Sequence, residues 1–328
     1  MTRVLLVGAG AVGARAARQL VEADDVESVL IVDPIARRRA AVVASTGGKA
    51  RDGGAEPDVD TSVDAVLLAS ANGTHTDIAR LHLAEGRVVV SAADGVPDVL
   101  GLLDLGPEAQ ARGVAVVAGA GFSPGYSCLL ARHASAGLDE VEEIHVARTG
   151  TGGPACARAH HVALAGTSLD WRDGGWQRRR AGSGRELCWF PDPVGAEDCY
   201  RAQLPDPVLL VPSFPGVGRV TARLSATRRD RLSAHLPMLR RPHPEGLVGA
   251  VRVEVRGRRA GVQDTVVLGA LDRPAVASGA VAALALRWAA QGRIAPGAAG
   301  LGGVDEPVAF LTELARVGIK AAAFEGTG

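Results

Sequence analysis

The chain has 328 residues, 47% of them hydrophobic, and its 36 Lys plus Arg balance 36 Asp plus Glu to a formal charge of zero at pH 7. That length supports two packed domains, and that balance argues against nucleic acid or an anionic membrane as the partner. No apolar run reaches the ~18 residues of a membrane span, and Cys128, Cys156, Cys188 and Cys199 form neither a C-x-x-C pair nor a zinc-site spacing, so free thiols in a cytoplasmic protein and no metal are expected.

Residues 4–13 read Val-Leu-Leu-Val-Gly-Ala-Gly-Ala-Val-Gly. An apolar strand runs into Gly-x-Gly-x-x-Gly, the fingerprint of a dinucleotide pocket. Gly8 permits the tight turn, Gly10 lets the backbone approach a pyrophosphate, and Gly13 lets the next helix pack closely. The following helix is predicted over Ala14 to Ala23, its N–H groups and dipole facing the phosphates, and Ala11 and Val12 of the turn are candidate cofactor contacts. With a strand starting at residue 4, no export signal is expected. A second strand, Ser28 to Val32, ends in Asp33, where a ribose-binding carboxylate belongs.

Ala36 to Ala44 is predicted as a helix and Ser45 to Asp60 as a loop. Ala65 to Ala69 is a buried strand opening into Ser70-Ala71-Asn72-Gly73-Thr74-His75, at the strand end where open α/β sheets bind ligands. Thr76 to Glu85 reads as helix, Arg87 to Ser91 as strand, Leu100 to Arg112 as helix and Val114 to Val117 as strand. This alternation predicts an α/β fold: an N-terminal Rossmann doubly wound parallel sheet over residues 1–124. Gly119 to Gly125 then leads into a helix over Tyr126 to Ala136.

From about Val141 the runs are shorter and β-rich: Glu143 to Arg148, Leu187 to Phe190, Val217 to Ala226 and Leu247 to Arg256. They predict a second α+β domain over 125–274, for substrate binding or dimerisation. Helices over Ala275 to Gln291 and Pro307 to Val317 close the chain, in a segment (275–328) expected to pack back on the first domain. A homodimer through the second-domain sheet is expected by fold analogy.

The junction Gly119-Ala120-Gly121-Phe122-Ser123-Pro124-Gly125 resembles the saccharopine dehydrogenase-like reductases, which include carboxynorspermidine dehydrogenases. The likeness extends through Trp171-Arg172-Asp173-Gly174-Gly175-Trp176, Phe190-Pro191 and the closing pattern at Pro307 to Ile319. Leu301 to Pro307 departs from the Gly-Val-x-x-Pro-Glu element usual there. The resemblance implies hydride transfer between a nicotinamide and a carbon bonded to nitrogen, in an amine, imine or amino acid.

A nicotinamide at the sheet's carboxyl edge would be walled by Ser70, Ala71, Asn72, His75, Ala92, Gly121 and Pro124. Proton transfer points to His160 and His161, which follow Gly152-Gly153-Pro154, and to Tyr126. A substrate carboxylate calls for a bidentate cation, with Arg148 the candidate and Arg158 a second. Gly125 is placed on the substrate side. Asp33 favours NAD, while Arg37, Arg38 and Arg39 keep NADP open.

Two rival readings stand beside this one. A glucose-fructose oxidoreductase-type sugar or polyol dehydrogenase would carry Glu-Lys-Pro after the fifth strand, where this chain has Ser91-Ala92-Ala93-Asp94-Gly95. A cofactor-binding sensor or assembly subunit would keep the sheet without turnover.

Overall fold

The computed structural model describes residues 1–57, 62–238 and 241–324. In the first part helices and strands alternate: β1 (Thr2–Val7), α1 (Ala11–Glu22), β2 (Val26–Val32), α2 (Ala36–Thr46), β3 (Ala50–Asp52), β4 (Ala65–Leu68), α3 (His75–Ala84), β5 (Val88–Ser91), α4 (Val96–Leu103), α5 (Gly106–Arg112) and β6 (Ala115–Val117). The strands pair in parallel in the order β3-β2-β1-β4-β5-β6. This is a Rossmann sheet, and its order reverses between β1 and β4. The loops that leave those two strands therefore flank one crevice. β4 is buried at all four positions because helices cover both faces of the sheet.

The second part holds α6 (Tyr126–Ser135), β7 (Glu140–Thr149), α7 (Pro154–Ala163), β8 (Thr167–Arg172), β9 (Gly175–Arg180), β10 (Glu186–Trp189), β11 (Ala196–Arg201), α8 (Asp206–Ser213), β12 (Arg219–Ser225), α9 (Arg228–Ser233), β13 (Gly249–Arg259) and β14 (Val262–Asp272). The chain ends with α10 (Pro274–Ala290), β15 (Gly297–Ala299), a 3-10 turn at Leu301–Gly303, α11 (Pro307–Arg316) and β16 (Ala322–Ala323). A nine-stranded mixed sheet runs β10-β11-β12-β7-β13-β14-β16, with the β8-β9 hairpin attached to β12. Strand alternation gives it two unlike faces. Ile144, Val146, Val251, Val253 and Val255 point into the core, while His145, Arg252, Glu254 and Arg256 carry hydrogen bonds and ion pairs on the other side.

The last segment returns to the first sheet. β15 pairs with β6 and extends that sheet to seven strands. α10 is buried along most of its length, and it lies against α1 at Gly279, where a Cβ would sit 2.8 Å from the Ala16 nitrogen and 2.9 Å from the Val12 oxygen. Beyond it, Trp288 meets Phe310 edge-to-face with centroids 4.7 Å apart, and the Arg293 guanidinium lies 3.4 Å over the indole.

Several local expectations change. The helix expected over Leu100 to Arg112 is two helices, because Gly106-Pro107 interrupts it and a proline cannot donate within a helix interior. The expected loop from Ser45 to Asp60 contains the edge strand β3, and its last residues, from 58 on, lie outside the described residues. The Trp171 to Trp176 segment forms the turn of the β8-β9 hairpin. Asp173 and Gly174 both take positive φ there, as Ala260 and Gly261 do between β13 and β14, the two-residue turn that suits strand twist.

Gly279→Ala is expected to push α1 and α10 apart and cost about 1–3 kcal/mol. A urea titration reads this directly, and an unchanged midpoint would contradict the close crossing. His82 supplies a second expectation. Its ring is buried, Nδ1 accepts a 2.9 Å hydrogen bond from Arg87, and burial followed by the Arg87 charge lowers its pKa to about 4. An unfolded histidine titrates near 6.5, so between there and about 4 the unfolded chain binds a proton that the folded chain refuses. Stability should fall as pH drops through that window. In His82→Leu the dependence of the unfolding midpoint on pH should be shallower than in the wild type; equal slopes would contradict it.

Candidate active site

The turn after β1 has the steric profile of a phosphate cradle. Gly8 sits at φ 105°, and a Cβ there would be 2.6 Å from the Ala69 carbonyl carbon; one on Gly13 would be 1.8 Å from the Gly8 oxygen. Those two glycines are required by packing within the chain. Gly10 differs, since a Cβ there meets nothing within 4 Å. No side chain caps α1, and its first turn carries no acidic residue. Open space beside an uncapped helix N-terminus, where Ala11 and Val12 lie, fits a dinucleotide pyrophosphate.

Asp33 stands at the end of β2 with 5% exposure. One carboxylate oxygen accepts from the Ala9 N–H at 2.9 Å and the other from the Ile35 N–H at 2.8 Å. It braces the glycine turn and keeps lone pairs to spare for a ribose hydroxyl. Arg39 is tied to Asp52 at 2.7 Å and to the Asp33 carbonyl. Arg37 is exposed on the first turn of α2, beside the likewise exposed Arg38.

At the end of β4, Ala71 and Asn72 are exposed and Ser70 is half-buried. His75 is fully buried, and its Nδ1 meets the Ser91 hydroxyl at 2.8 Å while Nε2 meets the Ser70 hydroxyl at 3.1 Å. Both ring nitrogens are thus spent on joining the ends of β4 and β5 beneath the loop. Asn72 donates to Asp94 Oδ1 at 2.8 Å. Ala92, half-buried, precedes that carboxylate.

Asp94 reaches across to the second part of the chain. Its Oδ2 lies 3.6 Å from Cys156 Sγ and 3.6 Å from His160 Nε2, and those two atoms of α7 are 3.4 Å apart. Burial works to raise the Asp94 pKa, but the nearby His160 ring and Arg148 guanidinium outweigh it and hold the carboxyl below the ordinary range. The His160 pKa is lowered, first by burial and then by Arg148. Burial and Asp94 push the Cys156 thiol up to about 12. Arg148 is 5% exposed, donates to the Ser123 carbonyl, and keeps a buried Nε without a partner. Asp206 accepts from the Ser123 and Ser127 hydroxyls at 2.9 and 2.7 Å, and its other oxygen is likewise unpartnered.

Not every expected residue converges here. Gly121, Pro124 and Gly125 are buried throughout: Gly125 takes φ 119°, and a Cβ on it would lie 2.3 Å from the Gly121 oxygen. Gly121 and Pro124, expected to wall the nicotinamide, and Gly125, expected on the substrate side, thus present no exposed surface. Tyr126 is wholly enclosed with its hydroxyl unpartnered, and burial, then Asp272, raises its pKa. His161 is turned away on α7 and its Nε2 meets the Leu236 carbonyl at 2.8 Å, since adjacent helical residues point about 100° apart. Sequence reasoning missed Cys156 and Asp206, and it took Asp94 only as part of the Ala92 to Gly95 loop beside the nicotinamide, without a chemical role.

Residues 2–91 match the model of an oxidoreductase family with an NAD-binding Rossmann fold. Over 99% of this chain and 100% of the other, the structure is similar to apo saccharopine dehydrogenase (L-Glu forming) from Saccharomyces cerevisiae, with TM-score 0.73 and 15% identity. The chain has the saccharopine dehydrogenase fold. DAP dehydrogenase from C. glutamicum in complex with DAP gives TM-score 0.50 at 17% identity over 96% of this chain and 98% of that one. Myo-inositol dehydrogenase from Corynebacterium glutamicum gives 0.50 at 14% over 100% of both. Within the saccharopine dehydrogenase fold, the Gly8 to Gly13 turn belongs to the matched cofactor domain, and the Asp94, Cys156, His160 and Arg148 group stands where that domain meets the second sheet.

Gly10→Ala should leave the unfolding midpoint within about 1 kcal/mol of the wild type and weaken NAD(P) binding at least tenfold. Fluorescence titration with NADH or NADPH measures the second effect. Unchanged affinity would remove Gly10 from the cradle.

Proposed function

We propose that this chain is an NAD(P)-dependent oxidoreductase acting on the carbon–nitrogen bond of an amino acid or a related amine or imine. The observation that carries the reading is the buried seam: a cation, Arg148, lies beside Asp94, Cys156 and His160 at the mouth of a cofactor crevice. The domains are taken as 1–124 for cofactor, 125–274 for substrate and a twofold contact, and 275–328 as the returning segment. When bound, the nicotinamide supplies or accepts the hydride.

The chain's own residues do the rest. Gly8, Gly10, Gly13 and the first turn of α1 hold the pyrophosphate, and Asp33 takes the adenosine ribose. NAD is favoured, because a 2′-phosphate would meet the Asp33 carboxylate. The outer ends of Asn72 and Ala92 border the reacting carbon. Arg148 binds the substrate carboxylate through its unpartnered Nε, a charge-assisted contact. Asp94, Cys156 and His160 then face the substrate nitrogen. Enclosure between the sheets excludes water and strengthens each of these contacts.

This assignment also separates an amine from a polyol substrate. A polyol dehydrogenase of the rival type needs a lysine at the end of β5, and Lys49 and Lys320, the only lysines, lie elsewhere in the sequence. Among the described residues no helix is long and apolar enough to cross a membrane. All four cysteines are free, which suits a reducing cytoplasm, and the polar face of the second sheet would join two copies.

Nicotinamide absorbance with a panel of amino acids, amines, keto acids with ammonia, and polyols tests this reading. Turnover confined to nitrogen substrates supports it; turnover with polyols alone, or cofactor binding without any turnover, overturns it. With the preferred amino acid, Arg148→Lys should lower kcat/KM about 10- to 100-fold, mainly through KM, the value of a lost charge-assisted bond. An unchanged KM would remove Arg148 from carboxylate binding.

A further inference from the structure

We infer that Asp94, Cys156 and His160 form a binding site for a thiophilic divalent cation of the zinc class. Asp94 Oδ2, Cys156 Sγ and His160 Nε2 make a triangle with sides of 3.4, 3.6 and 3.6 Å. The carboxylate–imidazole side is too long for a hydrogen bond, which would draw that pair to about 2.7–3.2 Å. It is the right length for two ligands of one ion. With zinc–sulfur at about 2.3 Å and zinc–nitrogen and zinc–oxygen near 2.0–2.2 Å, a tetrahedral ion keeps its ligand atoms about 3.3–3.6 Å apart.

The surroundings fit the same purpose. Cys156 and His160 are one turn apart on α7 and so share a face. Asp94 comes from the other sheet, and its second oxygen is fixed by Asn72 at 2.8 Å, the outer contact that orients a ligating carboxylate. Thiolate plus imidazole selects zinc-like ions over magnesium or calcium. Arg148 opposes a cation at this place, and two anionic ligands with the buried Asp206 offset it. Binding converts the Cys156 thiol to thiolate and releases its proton to solvent, with no change in oxidation state. Three protein ligands leave a fourth corner open. That corner would take the lone pair of a substrate nitrogen or a water, a role that rests on the function proposed above, whereas binding of the ion does not.

Cobalt(II) is the probe. The full-length chain, stripped with a chelator, is titrated with Co2+ without cofactor or substrate. The expected result is one equivalent bound, with the d–d bands of a tetrahedral site and a thiolate-to-cobalt charge-transfer band that Zn2+ displaces. In Cys156→Ser the charge-transfer band should vanish, and in His160→Gln affinity should fall at least tenfold, with far-UV circular dichroism confirming the fold. A folded wild-type chain that gives no such bands overturns the site, and so do bands that persist in Cys156→Ser. Cobalt binding without turnover of any nitrogen substrate would leave the ion site standing and remove the dehydrogenase reading; turnover without cobalt binding would do the reverse.

Discussion

Charge buried where two sheets meet is the constraint on which the rest depends. Asp94, Arg148, His160 and Asp206 all lie at or near one seam, and an ionised group taken out of water without partners costs several kcal/mol. The register of the two parts must therefore bring Asp94 against α7 and Arg148 against Ser123, or the penalty goes uncompensated. The compensation is incomplete: Arg148 Nε and Asp206 Oδ2 stay buried without partners. Polar capacity left over in a closed seam is what a small charged ligand would use.

The remaining architecture keeps that seam in place. Ser123 of the Ser123-Pro124-Gly125 junction gives Arg148 its carbonyl and Asp206 one of its two hydroxyls, the other coming from Ser127. Gly153 lets the second domain close on the first: a Cβ on it would be 3.1 Å from the Ala11 methyl, at the start of α1 beside the glycine turn. α10 locks against α1 through Gly279, and β15 extends the first sheet beyond β6, so the first domain is completed by elements from the far end of the chain.

The cofactor half was legible in the sequence because its signals are local. A strand, three glycines at fixed spacing and an acid at the end of the next strand are read within about thirty residues, and the structure adds that Asp33 braces the turn through the Ala9 and Ile35 N–H groups. The seam was not legible in the same way. Asp94 and Cys156 are 62 residues apart, and nothing in spacing or periodicity joins a carboxylate at the end of β5 to a face of α7. Cys156 carried no pairing pattern, so it read as an inert thiol. Of His160 and His161, the sequence could not choose; helical geometry turns the first into the seam and the second toward the Leu236 carbonyl. Similarly, the Pro-Gly junction was recognisable as a motif, while its complete burial depends on packing from α8 and α10.

A joint complex tests the account most directly, by crystallography of the chain with NAD and the amino acid that the panel selects. The pyrophosphate should lie against Gly10 and the first turn of α1, and the substrate carboxylate should engage Arg148 while its nitrogen faces Asp94, Cys156 and His160. An amino acid bound away from the seam, with Arg148 still held only by Ser123, would contradict the account.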